Sequence, residues 1–169
     1  MGRGDGTRLG DFEVIAALAT LVFNGFRAQF FRQQLIAALQ IVSQGHIGLH
    51  DMKGSWAGAM GQCQFIPTSF LAYAADGDGD GRIDIWRSKA DVFASTANYL
   101  RRVGWRPGLE WGEEVSPGTP AKPGERIVRP AGANGPAFRT TENFRAILRW
   151  NQSDFFALAV GTLSDRIGR

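Results

Sequence analysis

The sequence predicts an all-α domain arranged around one acidic loop built for a cation. Three observations carry that prediction. Apolar residues recur at helical spacing in segments punctuated by Gly, Ser and Asp. Residues 76–81 read Asp-Gly-Asp-Gly-Asp-Gly, the first half of an EF-hand-like loop. Prolines at 107, 117, 120, 123, 130 and 136 forbid a long helix between them, so 106–139 reads as a Pro/Gly-rich insertion.

In chain order, Asp11 is the expected N-cap of a helix from Phe12 to Asn24, closed by Gly25, with Val14, Ile15, Leu18, Leu21 and Val22 inward. A second helix, Arg27 to Gln44, places Phe31, Leu35, Ala38, Leu39 and Val42 on one face and stops at Gly45. Both read as scaffold. Then comes Gly54 to Phe65, a run of small residues with Gly54, Gly58 and Gly61. It is either tight packing of short turns or a cleft wall where backbone and the Gln64 amide meet a polar ligand. Pro67 opens a short helix over Ser69 to Ala74.

The acidic loop follows directly. A hard cation takes six to eight oxygens, and alternating carboxylates on a curling backbone converge on one point. Asp76, Asp78 and Asp80 supply carboxylates, Gly81 the turn, and Arg82 a backbone carbonyl. The twelfth position is Arg87, where a standard EF-hand has Glu, so Asp91 is the substitute ligand. Ca²⁺ of modest affinity, about 10⁻⁵ to 10⁻³ M, is expected. The competing reading is a solvated Asp-Gly turn.

Ser88 caps a predicted helix from Lys89 to Val103, with Ala90, Phe93, Ala94, Ala97 and Leu100 inward. In the insertion, Glu113–Val115 and Arg126–Val128 are the expected strands of a β-hairpin. Thr141 to Arg149 and Ser153 to Ile167 are the last predicted helices. Phe144, Ile147 and Leu148 face inward in the first, and Phe156, Leu158, Ala159, Leu163 and Ile167 in the second.

Composition narrows the function. The 169 residues suffice for one domain with a real core, and 44% hydrophobic with 21% charged residues is a globular composition. Net charge is +3 with the cations scattered, which suits an anionic polymer such as cell wall and falls short of a nucleic-acid footprint. Cys63 stands alone, so no internal disulfide forms; it reads as a small buried hydrophobe rather than a nucleophile, although His46 and His50 lie nearby in sequence. No stretch reaches membrane-spanning length, and the opening MGRGDGTRLGD carries no export signal.

GSWAGAMGQCQFIPTSF, then YAADGDGDGRIDIW and ANYLRRVGW, resembles the membrane-bound lytic transglycosylase B family of bacterial murein hydrolases. RLGDFEVIAALATL, FFRQQLIAAL and NFRAILRWNQSDFFALAVGTLSDRI resemble it too, so the likeness runs from about Arg8 to Ile167. It implies a lysozyme-like helical fold, 1–169 as a single transglycosylase domain, and cleavage of the MurNAc–GlcNAc bond of peptidoglycan to give 1,6-anhydromuramoyl ends. It implies substrate-binding roles for Ser55, Met60, Gln64, Tyr99, Trp150, Asn151 and Phe156. It implies Ca²⁺ ligands at Asp76, Asp78, Asp80, Arg82 (backbone) and Asp91, although this chain has one extra residue between Trp86 and Asp91. Glycan strands are the implied partner, nucleic acid is not, and a monomer working in the periplasm or at the outer membrane is expected.

That chemistry needs a carboxylic acid held protonated. It protonates the glycosidic oxygen and then takes the proton of the attacking muramoyl 6-hydroxyl. The family glutamate registers near Gly2, where no Glu stands and the helix that would carry it is absent. Glu13 at a helix start and Asp11 at a cap are poor replacements. The chain alone is therefore expected to be inactive. The alternatives are a non-catalytic peptidoglycan-binding module and a Ca²⁺-binding structural domain.

Overall fold

The computed structural model describes residues 10–168, which form two compact units divided between Tyr99 and Leu100. In the first, β1 (Phe12–Glu13) pairs antiparallel with β2 (Lys53–Gly54), matching Phe12 with Gly54 and Glu13 with Lys53. The predicted helix start yields to this pairing. Val14 N–H goes to the Met52 carbonyl at 3.0 Å, so α1 begins at Val14 and ends at Phe23. Glu13, not Asp11, holds the cap position, in extended conformation and without a side-chain capping bond. Val14 and Leu18 are buried, on the face the spacing predicts.

The second helix, α2 (Ala28–Ser43), buries Phe31, Gln34, Ala37, Ala38 and Ile41. The stripe lies one step round from the predicted one, and Leu39 is exposed. Gln34 is the reason: its buried Oε1 accepts from Thr68 N at 3.1 Å and Thr68 Oγ1 at 3.0 Å. Those bonds tie α2 to the first turn of α3 (Pro67–Tyr73), where Pro67 sits at the helix start as expected.

The next helix, α4 (Lys89–Arg102), corrects the sequence reading most. Phe93 is 70% exposed, and Ala90 and Ala97 are exposed too. The buried residues are Asp91 and Ser95. A polar face turned inward is stable only if its groups are bonded. Ser95 Oγ accepts from Ala75 N at 3.0 Å, and Asn98 Nδ2 donates to the Tyr73 carbonyl at 2.8 Å. Ser88 does cap, accepting from Asp91 N at 3.3 Å.

The second unit packs a three-stranded antiparallel sheet on two helices. Strands β3 (Gly112–Val115) and β4 (Arg126–Val128) both form, but they do not pair with each other. A third strand, β5 (Ala137–Thr140), lies between them. The expected hairpin between the first two is thus replaced by the order β3-β5-β4. After it come α5 (Glu142–Trp150) and α6 (Asp154–Ile167), with Thr141 and Ser153 as side-chain caps. Their core is Trp111, Val128, Phe144, Ile147, Ala157 and Leu158. On α6 the buried face is Ala157, Leu158 and Gly161, while Ala159, Leu163 and Ile167 stay exposed. The indole of Trp111 dictates this: a Cβ at Gly161 would stand 2.3 Å from its Cδ2. Asn143, fully buried, accepts from Arg106 N at 2.7 Å and donates to the Arg106 and Leu109 carbonyls at 2.9 and 2.5 Å. That one amide ties the start of the Pro-rich stretch to α5.

Candidate functional site

In the first unit the small-residue run folds into two stacked tight turns. Ser55 N–H donates to the Ala59 carbonyl at 2.8 Å, and Ser55 Oγ accepts from Ala59 N at 3.0 Å. The half-buried Ser55 hydroxyl therefore keeps its own hydrogen to give. Met60 and Phe65 exchange both backbone bonds, at 2.8 and 3.1 Å. The Met60 side chain is fully buried, so it supports the turn from behind. Gln64 is exposed, with φ +53 in the left-handed region, a conformation that costs a non-glycine residue about 1 kcal/mol or more. Its Nε2 donates to the Gly61 carbonyl at 2.8 Å. Backbone strain held in place by its surroundings is typical of a ligand-facing turn. Tyr99, half-buried on α4, packs against Phe65 at 5.8 Å and Tyr73 at 4.8 Å between ring centroids.

The tight-packing reading of the glycines holds. Gly61 has φ +62, and a Cβ there would lie 2.6 Å from Ile85 Cγ1 and 2.7 Å from its carbonyl oxygen. This close approach joins the turns to the acidic loop. Gln62 adds two bonds, N–H to the Ile85 carbonyl at 2.8 Å and Nε2 to the Trp86 carbonyl at 3.0 Å. Trp86 Nε1 then donates to the Lys53 carbonyl at 3.0 Å.

Within the acidic loop, carboxylate oxygens of Asp76, Asp78 and Asp91 lie within 4.8 Å of one another. Two oxygens on one Ca²⁺, each at about 2.3–2.6 Å, are at most about 5 Å apart, so the spacing fits. Asp91 is 1% exposed and accepts from Gly77 N at 2.8 Å and Asp84 N at 2.6 Å. Asp76 accepts from Gly81 N and Gly79 N, and the Gly81 bond chiefly holds its carboxyl below the usual aspartate range. Asp80 stands outside the converging set, accepting from Arg82 N at 2.8 Å. Arg87, at the twelfth loop position, lies 3.7 Å from Asp51.

Sequence reasoning missed His46. Its Nδ1 accepts from Ile83 N at 3.2 Å and its carbonyl from Arg82 Nη2 at 3.1 Å, while its ring packs edge-on to Phe70. No periodicity marks that role; only the fold brings positions 46 and 83 together. Cys63 is buried, and burial pushes its thiol up, away from the thiolate a nucleophile needs. As for acids, the position registering with the family glutamate, Gly2, lies outside the described residues. Glu13 is bonded to Lys53 Nζ at 3.2 Å, and that bond is the main cause lowering its carboxyl. A general acid for glycoside cleavage needs the opposite shift.

In the second unit Trp150 ends α5, Asn151 follows as its C-cap, and Phe156 lies in the first turn of α6. Asn151 Oδ1 accepts from Ser153 N at 3.0 Å, which sets the corner between the helices. Phe156 is 36% exposed. The implied substrate residues are thus divided, four in the first unit and three in the second.

The family described as the transglycosylase SLT domain matches residues 5–125 and 116–165. Membrane-bound lytic murein transglycosylase B of Escherichia coli (strain K12) is 31% identical over 191 residues, covering 96% of this chain. The chain spans about half of that relative, 53% of its length. Among solved structures, SltB3 from Pseudomonas aeruginosa in complex with NAG-anhNAM-pentapeptide has a TM-score of 0.84 at 42% identity, over 95% of this chain and 52% of that one. The Escherichia coli lytic transglycosylase Slt35 in complex with calcium has a TM-score of 0.81 at 30% identity, over 95% and 60%. The fold is lysozyme-like, mostly helical, with six helices and small antiparallel sheets among the described residues.

Proposed function

The chain belongs to the transglycosylase SLT domain family, and from that premise we propose that it is a peptidoglycan lytic transglycosylase domain. The whole reaction would break the MurNAc–GlcNAc bond and leave 1,6-anhydromuramoyl ends. The observation that carries this reading is the likeness, at 42% identity across both units, to an SltB3 structure holding NAG-anhNAM-pentapeptide. The family match, over 5–125 and 116–165, reaches into both units and supports reading 1–169 as one domain; within it we read 106–139 as an insertion.

Each residue then has a task its geometry allows. The Ser55 hydroxyl and the exposed Gln64 amide donate to saccharide oxygens, and Met60 keeps the Gln64 turn rigid. Tyr99, Trp150 and Phe156 offer ring surface to sugar faces, and Asn151 a polar edge. Met60 acts through Gln64 and is a positioning residue.

The proton chemistry is the incomplete part. No glutamate stands at Gly2, and Glu13, the nearest described Glu, is held ionised by Lys53. A group kept ionised cannot give the glycosidic oxygen its proton. These two observations favour a second reading, a peptidoglycan-binding module without catalysis in these 169 residues. Incubation with isolated murein sacculi, with mass spectrometry of the released fragments, separates the two. Binding without anhydromuropeptides is the expected result, whereas their release would show that a working acid is present. Failure to bind sacculi at all would overturn both.

A Ca²⁺ ion fits the acidic loop, held by the converging carboxylates of Asp76, Asp78 and Asp91; the Asp80 carboxylate and the Arg82 carbonyl, the other ligands that the resemblance implies, would have to turn towards it. Bound there, it would neutralise facing carboxylates and fix the loop to α4; its part is structural. Membrane association of the relative from Escherichia coli supports a place in the periplasm or at the outer membrane, although no described helix is long and apolar enough to cross a membrane.

A further inference from the structure

Beside the segment Trp150–Phe156, the second unit contains a small open hollow of about 280 Å³ between β4 and the first turn of α6. Arg126, Ile127, Val128, Arg129, Asp154 and Phe155 line it. We propose that this hollow is an additional saccharide subsite, in which Phe155 stacks on one face of a hexosamine ring and the Arg126–Asp154 pair meets its polar edge. The inference rests on the glycan-binding reading above and extends it to residues that the family resemblance does not assign.

Phe155 is 67% exposed at the start of a helix. The ring is not a member of the second unit's core, which on this helix consists of Ala157 and Leu158. Pyranose rings present axial C–H groups that pack on aromatic faces, and an exposed ring at the rim of a polar hollow suits that contact. The electrostatics accommodate the same ligand class. Arg126 Nη2 donates to both Asp154 oxygens at 2.8 Å, so the two charges cancel within the hollow. The Arg126 guanidinium also lies 5.7 Å from the centroid of the Phe144 ring, which fixes the pair from beneath. Arg129, the other cation at the rim, donates to the Thr119 carbonyl. Arg129 leaves one positive charge at the rim, which disfavours an amine, while the paired Arg126 and Asp154 present a polar edge that suits hydroxyl and acetamido groups. Planar Arg and Asp groups can each engage two adjacent polar atoms of a sugar while keeping their own contact.

Phe155 and Phe156 are neighbours about 100° apart round α6. One ring therefore serves the segment that the resemblance assigns and the other serves the hollow. A longer glycan gains from both.

The test is titration of the 169-residue protein with β-1,4-linked GlcNAc oligomers, a dimer and a hexamer, followed by amide NMR shifts. The wild type is expected to bind the hexamer more tightly than the dimer, with shifts at Ile127 and Phe155 only for the hexamer. Phe155→Ala should weaken hexamer binding by about two- to tenfold, the worth of one aromatic contact, and leave dimer binding unchanged. Phe155→Trp should restore the hexamer preference. If the wild type prefers the hexamer and Phe155→Ala keeps that preference, the subsite is overturned while glycan binding stands. If the wild type binds neither oligomer, the glycan-binding reading itself falls, and the subsite with it.

Discussion

Replacing Asp91 is the most informative single perturbation of this protein. Its carboxylate is buried and accepts two backbone N–H groups, from Gly77 at 2.8 Å and Asp84 at 2.6 Å. Hydrogen bonds to a charged group contribute about 1.5–3 kcal/mol each, and removing the acceptor takes that partner from both donors. Asp91→Ala should therefore cost about 3–5 kcal/mol, or roughly 6–20 °C in Tm for a chain of this size. That is much of a typical domain's stability. Asp91→Asn keeps one acceptor oxygen but turns an amide towards the other N–H, so about half the loss is expected. Calcium provides the second axis of the experiment. At a concentration one hundred times its Kd, a ligand that binds only the folded state adds about 2.7 kcal/mol. The wild type should gain that on Ca²⁺ addition and lose it to chelator, whereas both variants should be indifferent, because Asp91 is also a member of the carboxylate cluster. Calorimetry with and without Ca²⁺ reads all of this. An Asp91→Ala protein melting within a degree or two of wild type, with its Ca²⁺ response intact, would show that Asp91 neither anchors the loop nor binds the ion.

Gly61→Ala places a methyl group against Ile85 and a side chain at φ +62, so a loss of about 2–4 kcal/mol is expected in urea unfolding. A stable Gly61→Ala would mean that the two loops are not locked there. Gln64→Gly relieves left-handed strain and should leave stability within about 1 kcal/mol of wild type, while weakening binding to murein fragments; unchanged binding would remove Gln64 from the site. Asn143→Ala breaks three buried bonds in the second unit and should lower its melting transition by about 3 kcal/mol or more. Without Ca²⁺, NMR titration should find the Asp76 and Glu13 carboxyls below their ordinary ranges. Depressed carboxyls contribute stability that is full above their unfolded pKa, about pH 4, and is lost as pH falls through the lower folded value. Ordinary midpoints for both would show that the Gly81 and Lys53 bonds do not persist in solution.

The positions of the helices were legible in the sequence, as were the acidic loop and the small-residue run between them. Helix spacing, Ser88 and Ser153 at caps, and Pro67 at a first turn are local signals, encoded by residues within a turn of one another. The Asp-Gly alternation and the small-residue run are local for the same reason, and the family likeness was legible in them. Only the tertiary structure decided which face of a helix turns inward. On α4 apolar spacing pointed to Phe93, yet Asp91 and Ser95 are buried, because the loop before the helix presents N–H groups that only polar side chains can satisfy. On α2 the Gln34 bonds to Thr68 rotated the stripe, and on α6 the bulk of Trp111 selected Ala157 and Gly161. Strand order was equally out of reach. Glu113–Val115 and Arg126–Val128 carry strand character, but pairing depends on partners far along the chain, and Ala137–Thr140 took the place between them. His46 completes the pattern: its bond to Ile83 spans residues that no short-range signal connects, so it exists only once the chain has folded.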